Sequence, residues 1–97
     1  MTEPDFARLH ARVDGHVQGV GFRAFVYEIA LSQDLTGWVR NTHDGLVEVL
    51  GEGPRENLDI LLAYLSRGPR GAFVTEVRQE WSQATREYPD FKVTRTV

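Results

Sequence analysis

Residues 15–23, GHVQGVGFR, combine three glycines and one arginine at a point where a strand should give way to a helix. Glycine adopts positive φ and lets the backbone approach a ligand with no Cβ in the way. Successive N–H groups turned into a concavity, followed by the positive end of a helix dipole, bind phosphate or carboxylate. We therefore predict an anion-binding loop formed by His16, Val17, Gln18, Gly19, Val20, Gly21, Phe22 and Arg23.

The arginine of this loop supplies a full positive charge. Arg23 should lie in the first turn of the helix that follows the loop. Its planar guanidinium offers several donors in a fixed fork and stays charged at any working pH, so it matches a phosphoryl group better than a lysine would. The loop thus offers backbone dipoles, hydrogen-bond donors and a cation to one anion.

A second polar residue, Asn41, stands at the end of a strand predicted from 35 to 41. Its amide both donates and accepts hydrogen bonds, so it can hold a water molecule in one orientation, although it cannot act as a general base. A helical crossover joins this strand to the one before the loop, so the two should run parallel and end at the same edge of the sheet. We therefore expect Asn41 to lie near the anion-binding loop.

Apolar periodicity predicts the elements of the first half of the chain. Residues 8–13 alternate with period two and form strand one. An apolar stripe at helical spacing marks helix one and consists of Phe22, Phe25, Val26, Ile29 and Ala30. Strand two, 35–41, and strand three, 46–50, flank Asp44-Gly45, which is a strong hairpin signal between two such runs.

The second half of the chain completes the pattern. Pro54 should be the first residue of helix two, whose apolar face carries Leu58, Leu61, Leu62 and Leu65. Strand four follows around 73–81, a polar connection spans 83–90, and the last strand alternates from 91 to 97. The fold class predicted is α+β, a ferredoxin-like βαββαβ sandwich whose antiparallel sheet carries both helices on one face. We expect one domain, 1–97.

Composition limits the function classes. The 97 residues suffice for one core without metal or disulfide staples, and the absence of cysteine excludes a disulfide scaffold, a thiol nucleophile and a cysteine zinc site. A net charge of −3 argues against a nucleic-acid partner, because proteins that bind polyanions normally carry a basic face. With no signal-like or membrane-spanning stretch, we expect a cytoplasmic protein without membrane contact, and a monomer.

The remaining polar residues offer no convincing nucleophile or acid-base pair. The serines, which lie in no nucleophile elbow, are Ser32, Ser66 and Ser82. The histidines lack two-histidine metal spacing. We expect His10 on the exposed face of strand one, His16 in the loop and His43 in the turn. The scattered strand acids are expected to be solvated: Glu48, Glu76 and Glu80.

The loop is followed by GWVRNTHDGLVEV, residues 37–49, and the two motifs together resemble the signature of the acylphosphatase family. The resemblance continues in length, in element order and in the closing pattern of Tyr88, Phe91 and Arg95. It implies an enzyme that hydrolyses the carboxyl-phosphate bond of small-molecule acyl phosphates to carboxylate and inorganic phosphate, with neither a metal nor an organic cofactor.

The same resemblance implies roles for particular residues. By matching position, Arg23 stands at the phosphate-binding arginine and Asn41 at the water-orienting asparagine, and these are the two catalytic residues expected. Gln18 matches the glutamine of the signature, and we interpret it as ordering the loop. The leaving group of an acyl phosphate is a carboxylate, which is stable at neutral pH, so positioning and charge neutralisation suffice for the reaction.

Three other interpretations of the sequence compete with this one. Residues 19–24 match the G-x-G-x-x-A variant of a dinucleotide fingerprint, but the hairpin after strand two and the chain length leave no room for a Rossmann sheet. GFRAFVY superficially resembles an RNA-recognition motif, yet it begins a helix and does not lie on a central strand. A non-catalytic anion-binding or regulatory module of the same fold stays open as the alternative to an enzyme.

Overall fold

The computed structural model describes residues 5–97, so the first four residues of the predicted domain 1–97 lie outside the described residues. In this part of the chain the elements are β1 (Phe6–His16), α1 (Phe22–Ser32), β2 (Thr36–Asn41), β3 (Val47–Pro54), α2 (Arg55–Arg67), β4 (Phe73–Ser82) and β5 (Phe91–Val93). The strands form one sheet in the order β4-β1-β3-β2-β5. The predicted βαββαβ order is confirmed.

The strand pairings set the directions that matter for the site. β3 lies between β1 and β2 and is antiparallel to both, so β1 and β2 run parallel to each other. Their carboxyl ends therefore meet at the same edge of the sheet, as predicted from the helical crossover. β4 is antiparallel to β1, whereas β5 is parallel to β2. The sheet is therefore mixed and not antiparallel throughout as predicted, because the last strand adds to the edge beside β2.

One face of the sheet packs on both helices. The core-facing strand residues alternate along their strands and include Leu9, Ala11, Val13, Val39, Val47 and Val49. The helices bury Phe22, Val26 and Ala30 from α1, and Leu58, Leu61 and Leu65 from α2. These residues form one apolar cluster, so both helices lie on the same face and the stripes predicted from helical spacing are the ones that pack.

The boundary between β3 and α2 differs from the prediction. β3 continues to Pro54, which pairs with Phe6, and the helix begins only at Arg55 with Pro54 as its N-cap. The predicted boundary was wrong because glycines such as Gly51 and Gly53 are typical of turns. In the structure they are strand residues on the helix-facing side, where a Cβ at Gly53 would press on the Leu35 side chain. The glycines therefore permit close packing on the strand, as glycine in a strand interior often does.

The last strand is shorter than predicted, but the residues after it stay beside β2. β5 ends at Val93, whereas 91–97 was expected. Thr94 N then donates to Val39 O at 2.9 Å, and Val97 N donates to Asn41 O at 3.2 Å. The carboxyl-terminal residues are thus fixed along the strand that carries Asn41 by irregular backbone bonds.

The sheet face away from the helices holds a buried carboxylate, which corrects the expectation that Glu48 is solvated. Glu48 is 6% exposed, accepts from Arg40 Nε at 2.8 Å and contacts His10 Nε2 at 2.6 Å. Burial alone would raise the pKa of the Glu48 carboxyl, but the hydrogen bonds and charges of His10 and Arg40 lower it below its ordinary value. Glu76 and Glu80 are exposed, as predicted.

A second buried carboxylate on β3 fixes the connection from β4 to β5. Glu52 is 3% exposed and accepts from the backbone N–H of Thr85 at 2.9 Å, from Arg86 N–H at 2.8 Å and from Arg8 Nε at 2.7 Å. Burial would raise the pKa of Glu52, whereas these donors lower it. The connection predicted as a simple polar loop is therefore tied to the sheet at this point.

Candidate active site

A cleft opens at the sheet edge where β1 and β2 both end. Its volume is about 360 Å³, and its lining consists of Val17, Gly19, Gly21, Phe22, Arg23, Ala24, Asn41 and Val93. Among the described residues, Arg23 is the only charged one in this lining. A second cleft of about 370 Å³ beside α2 is lined by three carboxylates and one arginine, which is the wrong charge for an anion. The cleft at the sheet edge is therefore the candidate anion site.

Two left-handed glycines shape the loop that forms one wall of the cleft. Gly19 has φ of 77° and Gly21 has φ of 79°, a backbone conformation that other residues adopt at a cost. A Cβ at either glycine would meet no described atom within 4 Å, so the requirement at both positions is the backbone turn. The glycine spacing in the sequence thus correctly indicated a loop with positive φ.

The start of α1 suits a bound anion. Gly21 is the N-cap residue, it provides no side-chain cap, and the first turn holds no acidic residue. The first N–H groups of a helix have no partner within the helix, and the dipole makes this end positive. The described part of the chain thus leaves the donors at the start of α1 free of a side-chain carboxylate.

Gly15 serves a different purpose from the other two loop glycines. It has φ of 128° and lies where the β1 and β4 register shifts between Asp14 and Gly15. A Cβ there would overlap the carbonyl oxygen of Phe73 on β4. Gly15 therefore lets β1 pass close to β4 at an irregularity of the ladder just before the anion-binding loop.

Arg23 is the second residue of α1 and is half-buried in the cleft wall. Ion pairs of residues 5–97 involve other arginines, such as Arg8 with Glu52 and Arg40 with Glu48, and none involves Arg23. Its guanidinium thus has no protein carboxylate to neutralise it among the described residues. A cation of this kind at a helix amino terminus favours a phosphoryl group.

Asn41 ends β2 on the opposite wall. Its backbone is fixed on both sides, because it pairs with Val47 of β3 and its carbonyl accepts from Val97 N. Its side-chain amide makes no hydrogen bond to any residue from 5 to 97, although it borders the cleft. An amide held on a rigid strand, with both its donor and acceptor groups available, suits the orientation of a water molecule.

The structure brings most of the predicted site residues together. Five of the eight loop residues line the cleft, namely Val17, Gly19, Gly21, Phe22 and Arg23. The other three lie elsewhere. His16 is exposed at the end of β1, Val20 packs against the core, and Gln18 directs its amide to the turn that follows Asn41.

Sequence reasoning did not single out two lining residues. Ala24 follows Arg23 in α1, and a helical alanine gives no chemical signal of its own. Val93 lies on β5, at the far end of the chain, and is 46% exposed. Only the parallel pairing of β5 with β2, which the sequence pattern did not specify, places it beside the cleft.

Residues 5–97 contain no candidate metal site. No group of three or more histidine, cysteine, aspartate and glutamate side chains lies close enough to hold a metal ion. No helix in this range is long and apolar enough to cross a membrane.

An α+β sandwich with a glycine loop and an arginine at a helix amino terminus is typical of a small anion-binding domain, and comparison with known proteins identifies its family. The acylphosphatase family model matches residues 9–93. An acylphosphatase of Salinibacter ruber is 46% identical over 91% of this chain and 93% of its own. The crystal structure of acylphosphatase from Bacillus subtilis superposes with a TM-score of 0.88 at 36% identity, covering 91% of this chain and 98% of that one. The chain belongs to the acylphosphatase family and is a hydrolase of that family.

The fold also occurs inside a larger protein. Full-length HypF, solved in a phosphate- and nucleotide-bound form, matches with a TM-score of 0.87 at 29% identity. The match covers 98% of this chain but 13% of HypF. The stand-alone relatives match over nearly their whole length, so the comparisons support the enzyme, and nothing in them favours the regulatory-module alternative.

Proposed function

We propose that this chain hydrolyses small-molecule acyl phosphates, with Arg23 and the loop amides as the phosphate site and Asn41 as the residue that orients the attacking water. The observation that carries the proposal is the shared cleft. Its lining holds both Arg23, which pairs with no carboxylate of residues 5–97, and Asn41, whose side-chain amide bonds to none of these residues. Such preorganised donors and charge are what phosphoryl transfer chiefly requires of a protein.

The proposed reaction needs no further group. A water molecule held by Asn41 attacks the phosphorus in line with the bond to the acyl oxygen. The new P–O bond forms as the old one breaks, the bonding electron pair leaves with the acyl carboxylate, and the water proton passes to a phosphate oxygen. The products are a carboxylate and inorganic phosphate. Arg23 and the N–H groups of the loop residues that line the cleft stabilise the charge that develops on the phosphoryl oxygens.

The proposal also covers the oligomeric state, the domain organisation and the cellular location of the protein. We propose a monomer as the active form. We also propose that residues 1–97 act as a single domain and that the protein works in the cytoplasm, as the sequence analysis expects. Size-exclusion chromatography with light scattering, run at the concentrations used for kinetics, tests the monomer.

A chromophoric substrate tests the activity. Hydrolysis of benzoyl phosphate, followed by its ultraviolet absorbance with a metal chelator present, should be fast for the wild type. Arg23→Gln should lower turnover by at least about 10³-fold, since an arginine that stabilises a transferring phosphoryl group contributes on that scale. The matched control is Arg78→Gln, an exposed arginine of β4 whose only ion pair within residues 5–97 is with exposed Glu76.

The outcomes separate the two function classes. Rapid hydrolysis by the wild type and by Arg78→Gln, lost in Arg23→Gln, supports the enzyme and the assigned phosphate site. A folded wild type that binds inorganic phosphate but does not turn over benzoyl phosphate or acetyl phosphate would favour the regulatory module.

A further inference from the structure

The side chain of Gln18 joins the two walls of the cleft. Its amide nitrogen donates to the carbonyl oxygens of Thr42 and Leu46, each at 2.8 Å. A glutamine amide nitrogen carries two N–H groups, so both donors are used. Gln18 lies between the lining residues Val17 and Gly19, whereas Thr42 directly follows Asn41.

The turn 42–46, which accepts these bonds, is already closed by hydrogen bonds among its own residues. Thr42 N donates to Leu46 O at 2.9 Å, Gly45 N donates to Thr42 O at 3.1 Å, and Leu46 N donates to the Thr42 hydroxyl at 3.0 Å. Each carbonyl oxygen has two lone pairs, so Thr42 O retains one for Gln18. Leu46 O, which the Thr42 hydroxyl also approaches at 3.3 Å, retains one when that hydroxyl donates its single hydrogen to Asp44. The glutamine therefore connects two separately formed elements, and the turn closes without it.

No other hydrogen bond within the described chain connects the loop 16–23 to the segment 41–46. The anchors of the loop in the core are apolar, since Val17 is 1% exposed and Phe22 is 2% exposed. The apolar anchors hold the loop in the fold, whereas Gln18 sets its separation from the end of β2.

We propose that Gln18 is a positioning residue for the hydrolysis, because it fixes the distance between the phosphate site and the water-orienting Asn41 amide. This inference rests on the proposed function. In-line attack depends on the alignment of water, phosphorus and leaving group, and a misplacement of about 1 Å costs a reaction about 10²-fold. Loss of Gln18 should therefore lower kcat, while inorganic phosphate, which needs only one wall of the cleft, should bind nearly as before.

Three variants of the full chain test this. Gln18→Met keeps the volume and removes both donors. Gln18→Glu keeps the shape, but the ionised carboxylate can only accept and so cannot bond to either carbonyl, whereas its protonated form offers one O–H donor. Gln83→Glu is the matched control, because Gln83 is exposed in the connection before β5 and forms no side-chain hydrogen bond to a described residue. The readouts are kcat on benzoyl phosphate, the inhibition constant of inorganic phosphate, and thermal unfolding.

We expect Gln18→Met to lower kcat by about 10- to 100-fold with the inhibition constant of phosphate within about threefold of wild type. The ratio of Gln18→Glu kcat to wild-type kcat should rise as the pH is lowered from about 7 towards about 5, as the carboxyl gains its proton. The same ratio for Gln83→Glu should stay constant.

A folded Gln18→Met variant with wild-type kcat would overturn the positioning role. If that variant unfolds, Gln18→Glu decides, and a pH-independent ratio to the wild type would equally refute the proposal. Failure of the proposed function itself is distinguishable, because either the wild type would then show no turnover or Arg23→Gln in the same assay would retain it, whatever the Gln18 variants do.

Discussion

Arg40 Nε donates to Glu48 Oε1 at 2.8 Å across the paired strands β2 and β3, one residue before Asn41. Glu48 also contacts His10 of β1 at 2.6 Å, so one buried carboxylate joins three adjacent strands on the face away from the helices. Because an ionised carboxylate only accepts, the His10 ring nitrogen must be the donor. The strand that ends at Asn41 is thus fixed by charge-assisted bonds as well as by its ladder.

The Glu48 network predicts a dependence of stability on pH. The folded-state pKa of this carboxyl is lowered, so its contribution is complete above the ordinary value of 4.5 and is lost as the pH falls through the lower folded value. Glu48→Gln should lower the free energy of unfolding by about 1–3 kcal/mol at neutral pH, and the difference from the wild type should shrink in acid. Urea unfolding at several pH values measures it.

The control for that series is Glu28→Gln, since Glu28 is exposed on α1 and forms no ion pair with a described residue. Its unfolding free energy should stay close to that of the wild type. A Glu48→Gln difference that is constant from neutral pH into acid would contradict the assigned role of the carboxylate.

The glycines of the loop should respond differently to alanine. Gly19→Ala places a methyl group in open space and imposes only the left-handed backbone, at about 1–2 kcal/mol. Gly15→Ala imposes the cost of a positive φ and also an overlap with the Phe73 carbonyl oxygen. It should therefore lower the free energy of unfolding by more than Gly19→Ala does. Chemical denaturation of the two variants compares them directly, and equal losses would show that the β1 and β4 approach tolerates a side chain.

Substitution of Val93, which lines the cleft from β5, tests where the anion binds. A carboxylate introduced there would repel a bound phosphate, so Val93→Asp should weaken phosphate binding by about fivefold or more, as expected for two charges a few ångströms apart in water. Val93→Asn has nearly the same shape without the charge and should bind phosphate almost as the wild type does. Similar inhibition constants for the two variants would mean that the anion binds away from β5.

The position of bond cleavage follows from the orientation of the water. Attack on phosphorus places the oxygen of water in inorganic phosphate, whereas attack on the acyl carbon places it in the carboxylate. Hydrolysis of benzoyl phosphate in ¹⁸O-labelled water should therefore label the phosphate. Mass spectrometry of both products distinguishes the two routes, and label in benzoate would exclude the in-line mechanism.

The sequence predicted those features of the fold that have local signals. Asp44-Gly45 marked the hairpin, and the helical spacing of the residues after Gly21 marked the buried face of α1. It failed where a long-range contact decides. Gly51 permits close packing of α2 and Gly53 makes room for Leu35, both from within a strand. The burial of Glu48 depends on donors from two neighbouring strands.

The same distinction applies to the site. The glycine loop, Arg23 and Asn41 were predictable because residue type and the parallel direction of β1 and β2 together place them at one edge. Val93 was not predictable, since β5 reaches the cleft through a parallel pairing that no local pattern specifies. The partners of Gln18 are backbone carbonyls of a distant turn, which carry no sequence signal.

The central claim is that the loop and Arg23 bind the phosphate whereas Asn41 orients the water. Asn41→Ala and Arg23→Gln, measured side by side, test this claim most directly. The measurement is the affinity for inorganic phosphate by calorimetry together with kcat on benzoyl phosphate for the same preparations. Asn41→Ala should bind phosphate nearly as the wild type does and lose about 10²- to 10³-fold in kcat, whereas Arg23→Gln should lose both. Near-normal turnover in Asn41→Ala, or intact phosphate binding in Arg23→Gln, would contradict the account.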